Sequence, residues 1–185
     1  MAQTFSNSME LGKKAPDFNL IDVVSGNQIS LNEAKGDKGL VVLFICNHCP
    51  FVIHVNALLV RLANEYKVKG INFVAISSND VDEYPQDGPE FMKKVALENQ
   101  YPFPYLYDEY QEVAKAYDAT CTPDVFVFDK NLTSFYHGQL DKSRPGNGIP
   151  STGDEIKKVL DTLLIDKVYL ESISPSMGCG IKWKS

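Results

Sequence analysis

The 185 residues, 44% apolar and 23% charged, suffice for one domain with its own hydrophobic core and no need of disulfide staples. A net charge of −6, with no basic run longer than a lysine pair, argues against nucleic acid, because phosphate binding relies on clustered Lys and Arg. The opening "MAQTFSNSMELGKKAPDF" lacks a basic segment followed by an apolar one, and no apolar run approaches the ~20 residues of a membrane span, so the expectation is a cytoplasmic protein with no membrane partner.

The chain starts polar and turn-rich. "DFNLIDVVSGNQISL" predicts two short strands about the Ser25-Gly26-Asn27 turn, within a β extension over residues 10–38. "GLVVLFI", residues 39–45, is a nearly unbroken β-branched and apolar run that suits a strand buried on both faces. From Pro50 the period becomes helical. Phe51, Val55, Leu58, Leu59, Leu62 and Tyr66 share one face, and His54, Arg61 and Glu65 lie on the opposite, solvated one. Residues 71–78 form a second buried strand, followed by the polar loop "NDVDEYPQDGP". Residues 89–99 read as a helix with Pro in its first turn. "YPFPYLYD" is extended and its aromatics belong to the core, and residues 109–117 form another helix. Residues 124–129 form a strand, and "LTSFYHGQL" is its antiparallel partner with His137 as a structural residue. In the long loop 139–153, Arg144 of "SRPGNG" either binds an anion or braces the loop. Residues 154–165 make the last helix, and the tail 166–185 docks through Ile181 and Trp183. This order predicts an α/β fold with a central mixed sheet flanked by helices on both faces.

The four cysteines are Cys46, Cys49, Cys121 and Cys179. Their spacing does not suit a disulfide framework, so the CxxC in "FICNHCPFV" reads as catalytic or metal-binding. It falls where the buried strand ends and the helix begins. Unpaired N–H groups and partial positive charge there lower a thiol's pKa. Two cysteines in one first helical turn could close a disulfide with little backbone movement. A metal would need Cys46, Cys49, His48 and His54 to converge with no second CxxC to help, and none is expected.

Together "CNHCPFV", "CTPDVFVFD", "SRPGNG", the terminal "GCGIKWK" and the entry "GKKAPDFNLIDVVSGNQISLNEAKGDKGLVVLF" carry a resemblance over nearly the whole chain. The sequence resembles the thioredoxin-fold, peroxiredoxin-like family (alkyl hydroperoxide reductase/thiol-specific antioxidant and redoxin), in a subgroup with a CNHC motif. The resemblance implies one thioredoxin-like domain over residues 1–185 and a cis Thr122–Pro123 bond lying against the cysteines. It further implies that Cys46 attacks as a thiolate and Cys49 resolves, supported by His48, Pro50, Thr122 and Pro123. The redox group is then the Cys46–Cys49 disulfide, recharged by an external thiol reductant, with no other cofactor. The partners implied are protein or small-molecule disulfides and an upstream reductase, for a monomer or weak homodimer in redox homeostasis. C-x-H-C also resembles protein disulfide isomerase and DsbA-type oxidants. A His48 imidazolium would favour the Cys46 thiolate and lift the potential above thioredoxin's roughly −270 mV.

Departures from the family pattern keep two alternatives open. Aligning the peroxiredoxin P-x-x-x-T/S-x-x-C on Cys49 puts Val42 at the proline and Cys46 at the threonine, and no peroxide-binding arginine is evident. Ile45 stands where thioredoxins carry Trp, and "VVLFI" offers no carboxylate to serve Cys49. One alternative is a thiol peroxidase acting on peroxides, with Cys49 oxidised and Cys46 or Cys179 condensing with it. The other is a non-catalytic binding module. Cys121 is either a small buried residue or a third thiol, and Cys179 is either packing or a resolving cysteine.

Overall fold

A computed structural model describes residues 3–185. Its centre is strand β4 (Gly39–Phe44), buried at all six positions, as expected of a continuous apolar run. β4 runs parallel to β5 (Ile71–Ser77) and antiparallel to β8 (Asp124–Asp129). Helix α2 (Pro50–Lys67) is the crossover between β4 and β5. β6 (Tyr105–Tyr107) pairs with β5, and the hairpin of β2 (Asn19–Asp22) and β3 (Gln28–Ser30) pairs with β6. β9 (Ser134–His137) closes the other edge, giving a mixed seven-stranded sheet in the order β3-β2-β6-β5-β4-β8-β9.

Alternate β4 side chains enter two cores, as the two-residue strand period demands. Val41 and Leu43 pack with residues of α2, α3 (Pro89–Glu98) and α5 (Asp154–Leu164), among them Leu59, Leu62, Met92 and Leu160. Leu40, Val42 and Phe44 pack on the other face with Ala34 of α1 (Leu31–Ala34) and Val113 and Ala114 of α4 (Glu112–Ala116). Each large side chain so buried contributes ~1.5–3 kcal/mol. Tyr66 also ties α2 to α5, because its hydroxyl donates to Asp161 Oδ1 at 2.8 Å.

Three short strands form a second sheet in the order β1-β10-β7: β1 (Gln3–Phe5), β7 (Cys121–Thr122) and β10 (Met177–Gly180). β1 and β10 escaped sequence reading, since a three-residue segment and "MGCG" carry no readable period. β10 pairs with β1 and β7 and Ile181 beyond it is buried, but Trp183 stays 42% exposed beneath the Lys115 ammonium rather than entering the core. α4 starts at Glu112 instead of residue 109. Gln111 is left-handed (φ 61°), and the Asp108 carboxylate takes the Val113 and Ala114 N–H groups at 3.3 and 2.9 Å. Among the described residues no helix is long and apolar enough to cross a membrane.

Gly178 fixes how closely β10 approaches β7. A Cβ there would sit 1.9 Å from the Thr122 carbonyl oxygen, a backbone atom that cannot swivel away. Gly178→Ala should therefore destabilise the fold by about 1–3 kcal/mol, read as a Tm lowered by ~2–4 °C per kcal/mol. An unchanged melting curve would show that β10 is held more loosely than this contact requires.

Candidate active site

Beyond β4 the ladder continues one residue, Ile45 N–H donating to Ile76 O at 3.0 Å. The chain then bends through Asn47 and His48 before α2 begins. Cys49 is the cap of α2, with extended backbone (φ −69°, ψ 120°), and Pro50 is the first helical residue. The expectation that both cysteines share a first helical turn is thus corrected. A residue before proline is pushed out of the α region, while proline itself suits the first helical position because it has no N–H to leave unpaired. Of the two, Cys49 lies at the helix start and Cys46 sits in the bend ahead of it.

Facing the bend is the loop between β7 and β8, where the Thr122–Pro123 bond is cis. Thr122 touches both sulfurs. Its Oγ1 lies 3.4 Å from Cys46 Sγ, and its carbonyl oxygen accepts from Cys49 Sγ at 3.1 Å. Both cysteines are reduced and buried, Cys46 at 2% exposure and Cys49 at 0%.

The bend is held by Asp87, which sits in a single 3₁₀ turn (Pro85–Asp87) and is wholly buried. Asn47 N–H donates to Asp87 Oδ1 at 2.8 Å, and Asn79 Nδ2 donates to Oδ2 at 2.8 Å. His48 Nδ1 lies 2.7 Å from Oδ2, a charge contact without the alignment of a full hydrogen bond. The His48 ring stacks on Tyr84 at 5.5 Å. Asn47 is clamped further, donating to Gln86 O at 2.8 Å and accepting from the Tyr105 hydroxyl at 3.1 Å. Sequence reading missed Asp87 because three other carboxylates, Asp80, Asp82 and Glu83, share its polar loop and nothing local marks it out. Burial singles it out only after folding.

These contacts decide how the sulfurs ionise. Hydrogen bonding to Cys49, burial and the negative field of Asp87 all push the Cys46 thiol up. The Asp87 carboxylate beside His48 thus offsets the help expected from an imidazolium, and Cys46 is not the favoured thiolate. Cys49 is instead pulled down to about 5, first by the hydrogen bond from Cys46 and then, against burial, by Cys179, Thr122 and the Val52 N–H of the first helical turn. Cys179 is pushed up to about 12 by burial and by its hydrogen bond to Cys49. Burial, and then Asp124, raises Cys121.

The remaining expected residues fall into place unevenly. Pro50 opens the helix, and Cys121 packs with its sulfur 3.9 Å from Pro123 O. His54 is not solvated as expected; it is half-buried, with Nε2 2.7 Å from Ser143 Oγ of the long loop. Arg144 braces that loop, donating to the carbonyls of Asp141 and Ser143 and to Gln139 Oε1. His137 is structural, 2.8 Å from the buried Asp124 carboxylate and stacked on Phe126. Asp124 follows the cis-proline directly and stands opposite Phe44, so β8 carries the buried carboxylate that β4 lacks. Cys46, His48 and Asp87 bring three potential metal-ligating atoms within 4.8 Å of one another. Asp87 is already committed to Asn47, Asn79 and His48, and His54 is turned away to Ser143, so a metal would have to displace existing bonds. Phe51, Val55, Pro123, Leu140 and Arg144 line a small cleft at the cis-proline.

The reduced protein should hold one thiolate at neutral pH. Its thiolate absorbance near 240 nm should titrate with a midpoint close to 5 and vanish in Cys49→Ser. Between that value and the ordinary 9.0 the unfolded chain keeps a proton that the folded one has released, so stability should rise with pH across this window and be lost as pH falls through it. A midpoint near the ordinary cysteine value would show that the hydrogen bonds to Cys49 do not outweigh its burial.

Comparison with known proteins places this geometry. Residues 11–133 match the AhpC/TSA family. A thiol-disulfide oxidoreductase ResA from Bacillus thuringiensis subsp. konkukian is 30% identical over 128 residues, 69% of either chain. The solved structure of an uncharacterized conserved protein from Geobacillus kaustophilus is 59% identical, with a TM-score of 0.97, covering 100% of this chain and 97% of that one. The thioredoxin domain of a Bacteroides vulgatus thiol-disulfide oxidoreductase, 22% identical, superposes with a TM-score of 0.63 over 83% of this chain and 99% of that one, and shares the thioredoxin fold. The chain belongs to the AhpC/TSA family.

Proposed function

We propose that this protein is a thiol–disulfide oxidoreductase in which Cys46 and Cys49 cycle between dithiol and disulfide. The observation that carries the reading is the seating of both sulfurs on Thr122, one at its hydroxyl and one at its carbonyl. Partners are protein disulfides, and an external thiol reductant regenerates the dithiol.

The two sulfurs divide the work. The pair carries one proton at neutral pH, resting on Cys46 and shared with the Cys49 thiolate. Both residues are buried, and Cys46, in the bend ahead of the helix, is the one that attacks. Its proton passes to Cys49 as it bonds to a substrate sulfur and expels the other as a thiolate. That leaving thiolate takes the proton from Cys49. Cys49 then attacks Cys46 Sγ, closes the disulfide and releases the second substrate sulfur. Cys49 thus acts first as proton acceptor and then as resolving nucleophile.

The depressed Cys49 also supports the peroxidase reading, because a sulfur that reacts with peroxide must be a thiolate. Two features count against it. Cys49 is fully buried, and the group facing it is the Thr122 carbonyl, an acceptor where a peroxide O–O bond needs donors.

Insulin-disulfide reduction separates the two. Cys46→Ser should fall to the uncatalysed rate, and Cys49→Ser should accumulate mixed disulfides that dithiothreitol releases. Peroxide consumption that survives Cys46→Ser and is abolished by Cys49→Ser would reverse the assignment. Because a stabilised thiolate favours the reduced state, the Cys46–Cys49 couple should also lie above thioredoxin's roughly −270 mV in a glutathione titration. A potential at or below that figure would remove the thiolate from the account.

A further inference from the structure

The chain's four cysteines are all buried, yet the strand register treats them differently. In the β7–β10 pair Cys179 stands opposite Thr122, and Gly180 opposite Cys121. Residues directly opposed across antiparallel strands project to the same face, and neighbours along a strand project to opposite faces. Cys179 therefore shares the face of the Thr122 side chain, whose hydroxyl reaches Cys46, and Cys121 lies on the reverse. Cys179 belongs with Cys46 and Cys49 to one buried cluster, and its side chain bears on the ionisation of Cys49. The close seating of Gly178 on the Thr122 carbonyl holds the β10 backbone in place, so Cys179 cannot swing clear.

Resting on the redox reading above, we propose that Cys179 is a third redox-active thiol, which exchanges with the Cys46–Cys49 disulfide to store the oxidised state as a Cys49–Cys179 disulfide. Cys179 gives up its proton and attacks Cys49 Sγ. The Cys49–Cys179 bond forms, the Cys46–Cys49 bond breaks, and Cys46 leaves as a thiolate that takes up the proton. The protein holds one disulfide before and after, so no oxidant or reductant is consumed. Cys49 is the pivot because it is bonded to Cys46 in the first disulfide and shares the buried cluster with Cys179. The stored form joins two buried sulfurs and leaves Cys46 as a thiol. The return exchange restores the reactive form when Cys46 attacks Cys49. Exchange runs through the Cys179 thiolate, so its rate should climb about tenfold per pH unit from 7 to 9.

The experiment is disulfide mapping by peptide mass spectrometry on the full chain, oxidised with diamide and acid-quenched at intervals. Wild type should show Cys46–Cys49 first and Cys49–Cys179 growing in afterwards, faster at pH 9 than at pH 7. Cys46→Ser should convert fully to Cys49–Cys179, Cys179→Ser should hold only Cys46–Cys49, and Cys121→Ser should match wild type. Thermal melts of the reduced variants exclude misfolding as the source of any difference, and Cys179→Ala serves where serine destabilises. Cys46→Ser left with free thiols, or joining Cys49 to Cys121, overturns the proposal, as does a wild type confined to Cys46–Cys49 at both pH values. The two readings fail separately. Insulin reduction with no Cys49–Cys179 bond sinks only the store, and a Cys49–Cys179 bond in a protein inactive on insulin sinks only the catalytic reading.

Discussion

Thr122 makes the contact on which the rest of the site depends. It stands between two sulfurs that the chain places seventy-odd residues away, with its hydroxyl toward Cys46 and its carbonyl toward Cys49. The carbonyl can only accept, so it opposes the ionisation of Cys49 that the helix start and the neighbouring thiols favour, whereas the hydroxyl can serve a thiol or a thiolate. One residue thus sets different conditions for two cysteines that look equivalent in the motif. The β10 strand reinforces this from behind, because Gly178 packs so closely on the same carbonyl that the loop has little freedom to retreat.

The second constraint is the buried Asp87. A carboxylate with no solvent exposure must be compensated by donors, and Asn47 and Asn79 supply them. Because Asn47 lies between the cysteines and His48 beside it also meets the acid, satisfying Asp87 also fixes the conformation of the bend. The same charge disfavours ionisation of Cys46, and the helix start and the neighbouring thiols favour it at Cys49. The attacking position and thiolate character therefore fall on different sulfurs. That division makes proton transfer between the two cysteines the first event of the proposed cycle.

Much of the frame was legible in order. The buried run at β4, the helical period from Pro50 and the strand at Asp124–Asp129 are strong periodic signals, and each lies where its pattern places it. The helix start was also written in the chain, in the proline after Cys49, although the motif's resemblance to a helix-embedded pair obscured it. What could not be read was whatever depends on contact between distant segments. His54 sits on the helix face expected to be solvated, and only the fold of the 139–153 loop brings Ser143 over it. Asp124 looked like a strand terminus, but β8 runs beside β4 and buries it opposite Phe44.

The sequence by itself determined the α/β alternation and the CxxC pair with its position between a buried strand and a helix, while that the Thr-Pro dipeptide faces the pair was implied by the family resemblance. The first two follow from local periodicity and from backbone preferences that reach only one residue along the chain. Tertiary structure alone decided which cysteine bears the charge, which acid holds the bend, and that Cys179 comes to the site while Cys121 turns away. Each of those depends on which groups are desolvated together, and desolvation is a property of the packed molecule, set by strands and loops that the chain brings from opposite ends.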